Sequence, residues 1–240
     1  MTTTRLPTQA TLGIRSVRMR PRSLAALCVR RLRDALASRG VRRPRMLRGR
    51  RLPSPIDAPR IRTTRLELRP HRRDDADAWF DLQSQESVTR FLPWPRRSRR
   101  QSARHLADRT RHTRLWQADD FLALAIVRDG RLIGDVSAHL RTVDADGRTL
   151  EIGWVIHPEF GGRGYATEAA DALLDFAFDE VGARFVTAVT DPRNVRSSSL
   201  ARRLGFVELR REGDELVLAV AAETHRERAA IARSVRLNEG

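Results

Sequence analysis

The alternation of apolar and polar positions starts abruptly near residue 61 and continues almost to the C-terminus. Residues 64–69 (TRLELR) follow the period of two that a half-buried strand requires, and Pro70 closes the run. Asp74 then stands as a helix cap ahead of Ala76, Trp79, Phe80 and Gln83, which share one face of a helix ending near Gln85. Ala103, Leu106 and Ala107 repeat that spacing and predict a second helix over residues 98–111. Three strands follow, at residues 121–128, 131–140 and 149–156. Asp129-Gly130 and Asp146-Gly147 separate them, and Asp-Gly suits the positive φ angles of a tight hairpin, so the three should run antiparallel.

A glycine cluster then opens a helix over residues 167–181, whose Ala170, Leu173, Leu174, Ala177 and Val181 form one apolar stripe. Residues 184–190 read as a strand, and residues 195–204 as a short helix stopped by Gly205. A final hairpin joins residues 206–211 to 215–221 across Glu212-Gly213, leaving a charged helical tail at 223–240. The pattern contains no internal repeat. It predicts one α/β domain over residues 61–222, behind an extension of residues 1–60.

Charge sharpens that boundary. The chain of 240 residues carries a formal charge of +16, and residues 1–60 hold 16 arginines against only Asp34 and Asp57. The remainder holds 30 basic and 28 acidic residues, so the predicted domain is nearly neutral and offers no basic face for nucleic acid. Within the extension only residues 23–38 show helical spacing, and the rest is predicted to be disordered. An arm that attracts RNA or ribosomes, an organelle transit peptide, and translated sequence upstream of a start at Met46 all fit this composition; the last, or plain disorder, accounts for it best. Every basic residue is arginine, a bias that a GC-rich genome explains without any phosphate ligand. Cys28 is the one cysteine, which excludes an intrachain disulfide and the cysteine spacings of zinc sites. No apolar window reaches the roughly 18 residues of a membrane span, and a cytoplasmic location is expected.

The chemistry concentrates in EIGWVIHPEFGGRGYATEA, residues 151–169. A strand runs into Gly161, Gly162, Arg163, Gly164, Tyr165 and Ala166, and a helix begins at Thr167. Glycines let successive backbone N–H groups turn into one concavity, and the helix start adds about half a positive charge, so a pyrophosphate is held without lysine. Arg163 adds a charged contact. Glycines before a helix also make plain tight turns, and this loop has neither dinucleotide-binding nor Walker spacing.

Five ordered segments give the loop its meaning: TTRLELRP, VTRFLPWP, Ile133-Gly134, EIGWVIHPEFGGRGYATEA and DPRNVRSSSLARRLGF. Together they resemble the GNAT acetyltransferase superfamily, in particular the branch of ribosomal-protein N-terminal acetyltransferases, over residues 63–221. The resemblance implies a mixed, mostly antiparallel sheet of six or seven strands flanked by about four helices, with acetyl-CoA as cosubstrate and no metal. The implied phosphate loop has the pattern Gln/Arg-x-x-Gly-x-Gly/Ala, with Gly161, Gly164 and Ala166 at its defined positions. Gly161 departs from it, removing a side-chain contact while leaving the backbone cradle. In relatives a pair of neighbouring strands splays apart here so that pantetheine pairs with the exposed edge, which assigns that role to Trp154, Val155 and Ile156, with Trp154 or Val155 supplying an N–H to the oxyanion.

The same resemblance makes Glu151 the general base. An α-amine with pKa near 7.7–8.0 is largely protonated at neutral pH and needs such a group, and a lysine amine near 10.4 needs it more. The alternative is a strand-face carboxylate paired with an arginine, and the sequence leaves both open. Many relatives protonate the leaving thiolate with a tyrosine where this chain has Ala201, so Ser197 becomes the candidate donor. Asn194 is implied as a pantetheine contact and is equally a helix N-cap. Trp94 walls the acceptor slot by resemblance, or simply covers Phe91 and Leu92. The implied acceptor is a primary amine, either a protein N-terminus or a small polyamine or aminoglycoside. A CoA-binding sensor without catalysis is the rival reading. No membrane partner is expected, nucleic acid only through residues 1–60, and the relatives imply a monomer or homodimer.

Overall fold

The computed structural model describes residues 48–92 and 96–238. Expectations placed on residues 1–47 and on Trp94 lie outside the described residues. Strands β1 (Arg51–Asp57), β2 (Ile61–Arg62) and β3 (Glu67–Pro70) precede helices α1 (Ala76–Ser84), α2 (Glu86–Thr89) and α3 (Arg99–Arg109). β4 (Arg114–Gln117), β5 (Phe121–Arg128), β6 (Arg131–Thr142) and β7 (Thr149–Ile156) follow. α4 (Tyr165–Asp175) passes through a π-helical turn at Phe176–Glu180 to β8 (Phe185–Thr190). The order closes with α5 (Val195–Arg203), β9 (Val207–Glu212), β10 (Glu215–Ala221) and α6 (Ala222–Asn238).

Among the described residues one sheet runs β2-β3-β5-β6-β7-β8-β10-β9, and β1 pairs with β4 in a separate ribbon. Every neighbour in the large sheet is antiparallel except β7 and β8, which are parallel because α4 carries the chain back across the sheet. The seven strands predicted from periodicity are all present; β2, only two residues long, is too short to leave a pattern. Local chemistry sets the boundaries. Ser98 and Gln101 form a reciprocal capping box at the start of α3. Asp129 and Gly130 take φ angles of 49° and 77° in the β5–β6 hairpin, as Asp-Gly foretells.

One difference lies upstream. Residues 51–57, expected to belong to the extension, form β1, with Ile56 opposite Leu115 and Asp57 opposite Arg114 of β4. Leu52 is buried, the Arg48 guanidinium lies 2.9 Å from the Asp120 carboxylate, and Gln117 donates to the Gly49 carbonyl at 2.8 Å. Pro53 and Pro55 interrupt the alternation that would have announced a strand, which an edge ribbon tolerates because only one side of it needs hydrogen bonds.

The sheet buries both faces. Leu122, Leu124, Val136 and Leu150 pack with Leu173 and Leu174 of α4, while Ala125, Val127 and Leu132 meet Trp79, Leu82 and Leu106 from α1 and α3. On the latter side Asp135 of β6 accepts from Arg109 at 2.5 Å and lies 2.7 Å from His71 Nε2, and Arg69 grips Asp75 with bonds of 2.7 and 2.9 Å. Burial works to raise the pKa of Asp135, but the neighbouring Arg109 and His71 outweigh it and hold the group below the usual carboxylate range. This network ties α3 to the strand beside β7. At the other end α6 lies on α4, through His225 to Asp175 at 2.7 Å and an ion pair of Arg228 with Asp171.

Candidate active site

β7 and β8 pair from Thr149↔Phe185 to Ile152↔Ala188 and no further. Each strand continues alone. β7 stays bonded to β6 as far as Ile156, and β8 stays bonded to β10 as far as Thr190, so the sheet opens between them. The His157 N–H donates to Ile133 O on β6 at 2.8 Å. Alternation along an extended strand therefore turns the peptide groups of Trp154 and Ile156 toward the opening and that of Val155 toward β6. Of the two expected N–H sources, the geometry favours Trp154 over Val155.

The chain leaves β7 through a short 3-10 turn and enters the glycine loop. Gly162 and Gly164 have φ of 75° and 81°, a conformation that L side chains adopt only with strain, and Gly164 is the N-cap of α4. Gly161 has an ordinary φ of −66°, and a Cβ there would lie 3.1 Å from the Pro158 carbonyl, a tight contact that a small shift of the turn would have to relieve. The Gly161 N–H already donates to that carbonyl at 2.9 Å. Among the described residues the next six amides, Gly162 to Thr167, meet no backbone or side-chain acceptor. They form a run of orphan donors at a helix start, the arrangement that binds anions.

Two arginines that the sequence pattern does not single out stand beside this loop. Arg65 donates from its backbone amide and Nε to Glu168, at 2.9 and 2.7 Å, and from Nη1 to the Arg163 carbonyl at 3.0 Å. The Thr63 hydroxyl adds a 2.6 Å bond to the same carboxylate. Burial pushes the Glu168 pKa up, yet these hydrogen bonds together carry it below the ordinary carboxylate value. Tyr165 is buried with its ring between the guanidinium groups of Arg65 and Arg128, at 4.6 and 4.9 Å, and its hydroxyl is bonded to Arg128. Its side chain is packing; only its amide belongs to the cradle. TTRLELRP was the available signal, since Thr63 and Arg65 in it brace the loop.

The other candidates fall around the opening. Glu151 is one residue before the last β7–β8 rung, and Arg141 holds its carboxylate with two bonds of 3.0 and 3.2 Å. That is the arginine-paired alternative raised from the sequence. Asp119, with φ of 71°, lies 4.0 Å from the same guanidinium. α5 begins just beyond the open end of β8, where Asn194 caps it by accepting from the Ser197 N–H at 3.2 Å. Ser197 is half-buried in that first turn, and Ala201, where relatives carry tyrosine, is buried. Ala166 and Thr167 lie in the first turn of α4, while the Arg163 side chain is exposed.

The sequence model of the acetyltransferase (GNAT) domain matches residues 65–207, more than half of the chain. The chain belongs to the GNAT family. An uncharacterized N-acetyltransferase of Bacillus subtilis, YnaD, is 40% identical over 65 residues, covering 27% of this chain and 36% of the relative. A second B. subtilis protein, YdaF, named provisionally as a ribosomal N-acetyltransferase, is 35% identical over 83 residues, covering 35% of this chain and 44% of its own. The chain thus spans less than half the length of these two curated relatives. Among solved structures, a GNAT acetyltransferase of Bacillus anthracis aligns with a TM-score of 0.59 at 22% identity, covering 69% of this chain and 99% of the other. RimL, a ribosomal-protein alpha-N-acetyltransferase solved with coenzyme A, aligns with a TM-score of 0.53 at 19% identity, covering 66% and 95%. At these identities the structural likeness speaks to the GNAT fold. No cluster of metal-binding side chains occurs among the described residues.

Proposed function

We propose that the protein transfers an acetyl group from acetyl-CoA to a primary amine, and that the acceptor is the α-amine of a polypeptide. The observation that carries this is the run of six unpartnered amides from Gly162 to Thr167, set at a helix start beside the place where β7 and β8 diverge. The amides suit a pyrophosphate, and the peptide groups of Trp154 and Ile156 suit an extended amide-bearing arm laid along the opened edge. The cosubstrate supplies an activated thioester. In the transfer a nitrogen–carbon bond forms as the carbon–sulfur bond breaks, the amine loses a proton, and the thiolate gains one, giving an N-acetyl product and free CoA.

The charge balance of the acceptor side favours an α-amine over a polycation. Glu151 and Asp119 both face Arg141, Asp135 is matched by Arg109, and Asp75 by Arg69. Multiply charged polyamines or aminoglycosides need uncompensated carboxylates, whereas an α-amine near pKa 7.7–8.0 sheds its proton at little cost. The activities for which RimL and YdaF are named point the same way. A second reading, CoA binding without turnover, draws on the arginine clamp on Glu151 and on the buried Ala201.

One experiment separates them. Acetyl-CoA affinity is measured by calorimetry, and thiol release is followed with peptides beginning with alanine or serine, with spermidine and with an aminoglycoside. Binding with peptide-dependent thiol release supports the proposal; binding with no release from any acceptor supports the sensor; absence of binding at millimolar concentration overturns both.

A further inference from the structure

Resting on the acetyltransferase reading, we infer that His139 is the seat of the acceptor amine. In the β6–β7 ladder His139 lies directly opposite Glu151, so the two side chains share one face of the sheet, beside the last rung before the strands diverge. Glu151 is engaged by Arg141 through both oxygens. His139 is not engaged in this way: it is half-buried, and among the described residues neither ring nitrogen has a hydrogen-bond partner. Its plane is nevertheless fixed. Phe121 stacks on it with centroids 5.0 Å apart and 16° between planes, and His112 stacks on Phe121 at 4.2 Å. The ring is therefore held in place by its faces with its polar edge left unused.

That edge has a definite protonation state. Burial first, and then the Arg141 and Arg109 guanidinium groups, hold the imidazole at about 3 against the opposing pull of Glu151 and Asp135. A neutral imidazole presents one bare nitrogen, which accepts a hydrogen bond and does not repel a cation. A neutral amine that donates one N–H to it keeps its own lone pair for attack on the thioester carbonyl. The seat carries no charge that would draw a proton off, so it favours amines that are neutral at modest cost, α-amines ahead of lysine side chains and polyamines.

The test compares wild type with H139F, which keeps the stack on Phe121 but lacks the bare nitrogen, and H139Q, which restores an acceptor atom. CoA affinity by calorimetry and thermal midpoint report on the fold and cosubstrate site, and steady-state kinetics use alanine- and serine-initiated peptides. The expected result is a loss of about tenfold or more in kcat/KM for peptide in H139F, mostly through KM, with CoA affinity unchanged and some of the loss recovered in H139Q. H139F working as well as wild type would overturn the assignment, as would a loss of CoA affinity parallel to activity, which marks a merely structural histidine. Failure of wild type itself to bind CoA overturns the acetyltransferase reading instead.

Discussion

Glu151 shows how much turns on a single neighbour. From the sequence it was either a base or the partner of an arginine, and Arg141, ten residues upstream, could be matched to it only once the β6–β7 register was known. A carboxylate held by a bidentate guanidinium is a weaker proton acceptor. If Glu151 is still the base, Glu151→Gln lowers kcat by about 10²-fold or more, read from steady-state thiol release with an alanine-initiated peptide. Gly164 is simpler. Its left-handed φ makes Gly164→Ala cost about 1–2 kcal/mol and tilts the amide cradle, so CoA affinity measured by calorimetry falls while the rest of the fold stays intact. The glycine requirement was legible in the sequence; the segment that holds Arg65 stood out, but its contact with the loop 98 residues on did not, and Arg128, 37 residues away, left no signal at all.

At the scale of elements, periodicity located the long strands and helices because each of them buries one stripe or both faces. It failed where burial is brief or proline interrupts it, as in β1 and β2. The β1–β4 ribbon is held by Leu52, by the pairing with β4 and by the ion pair of Arg48 with Asp120, whose other oxygen accepts from the Trp116 and Gln117 amides at 3.0 and 2.9 Å. Arg48→Met removes a largely buried charged hydrogen bond and is expected to cost about 2 kcal/mol, read as a lower urea midpoint. A chain beginning at Ile61 loses more, since β4 is left without its partner strand. α4 carries a second handle. Glu168 binds the 63–65 turn with its pKa below the ordinary 4.5, so the ionised form favours folding. That contribution is complete above about pH 4.5 and disappears as pH falls through the depressed value; the difference in urea stability between wild type and Glu168→Gln narrows accordingly on acidification.

For the whole molecule the same linkage acts through two histidines. Burial, aided by nearby arginines, holds His105 and His139 at about 3 instead of 6.5. The unfolded chain takes up protons on both as pH falls below 6.5, and the folded chain does not, so stability declines from there toward pH 3. Replacing both by phenylalanine flattens the slope between pH 6.5 and 4.5 in urea titrations, a window above the carboxylate range. The wider architecture holds a mechanical consequence. Among the described residues, four rungs between Thr149 and Ile152 on one strand and Phe185 and Ala188 on the other, with the Arg184 and Phe185 N–H groups bonded to the Arg148 carbonyl at their closed end, form the backbone seam between β7 and β8. Any molecule wedged into the gap and bonded to both lips lengthens that seam, so occupancy should register far from the chemistry, as slowed hydrogen–deuterium exchange along β8 and β10.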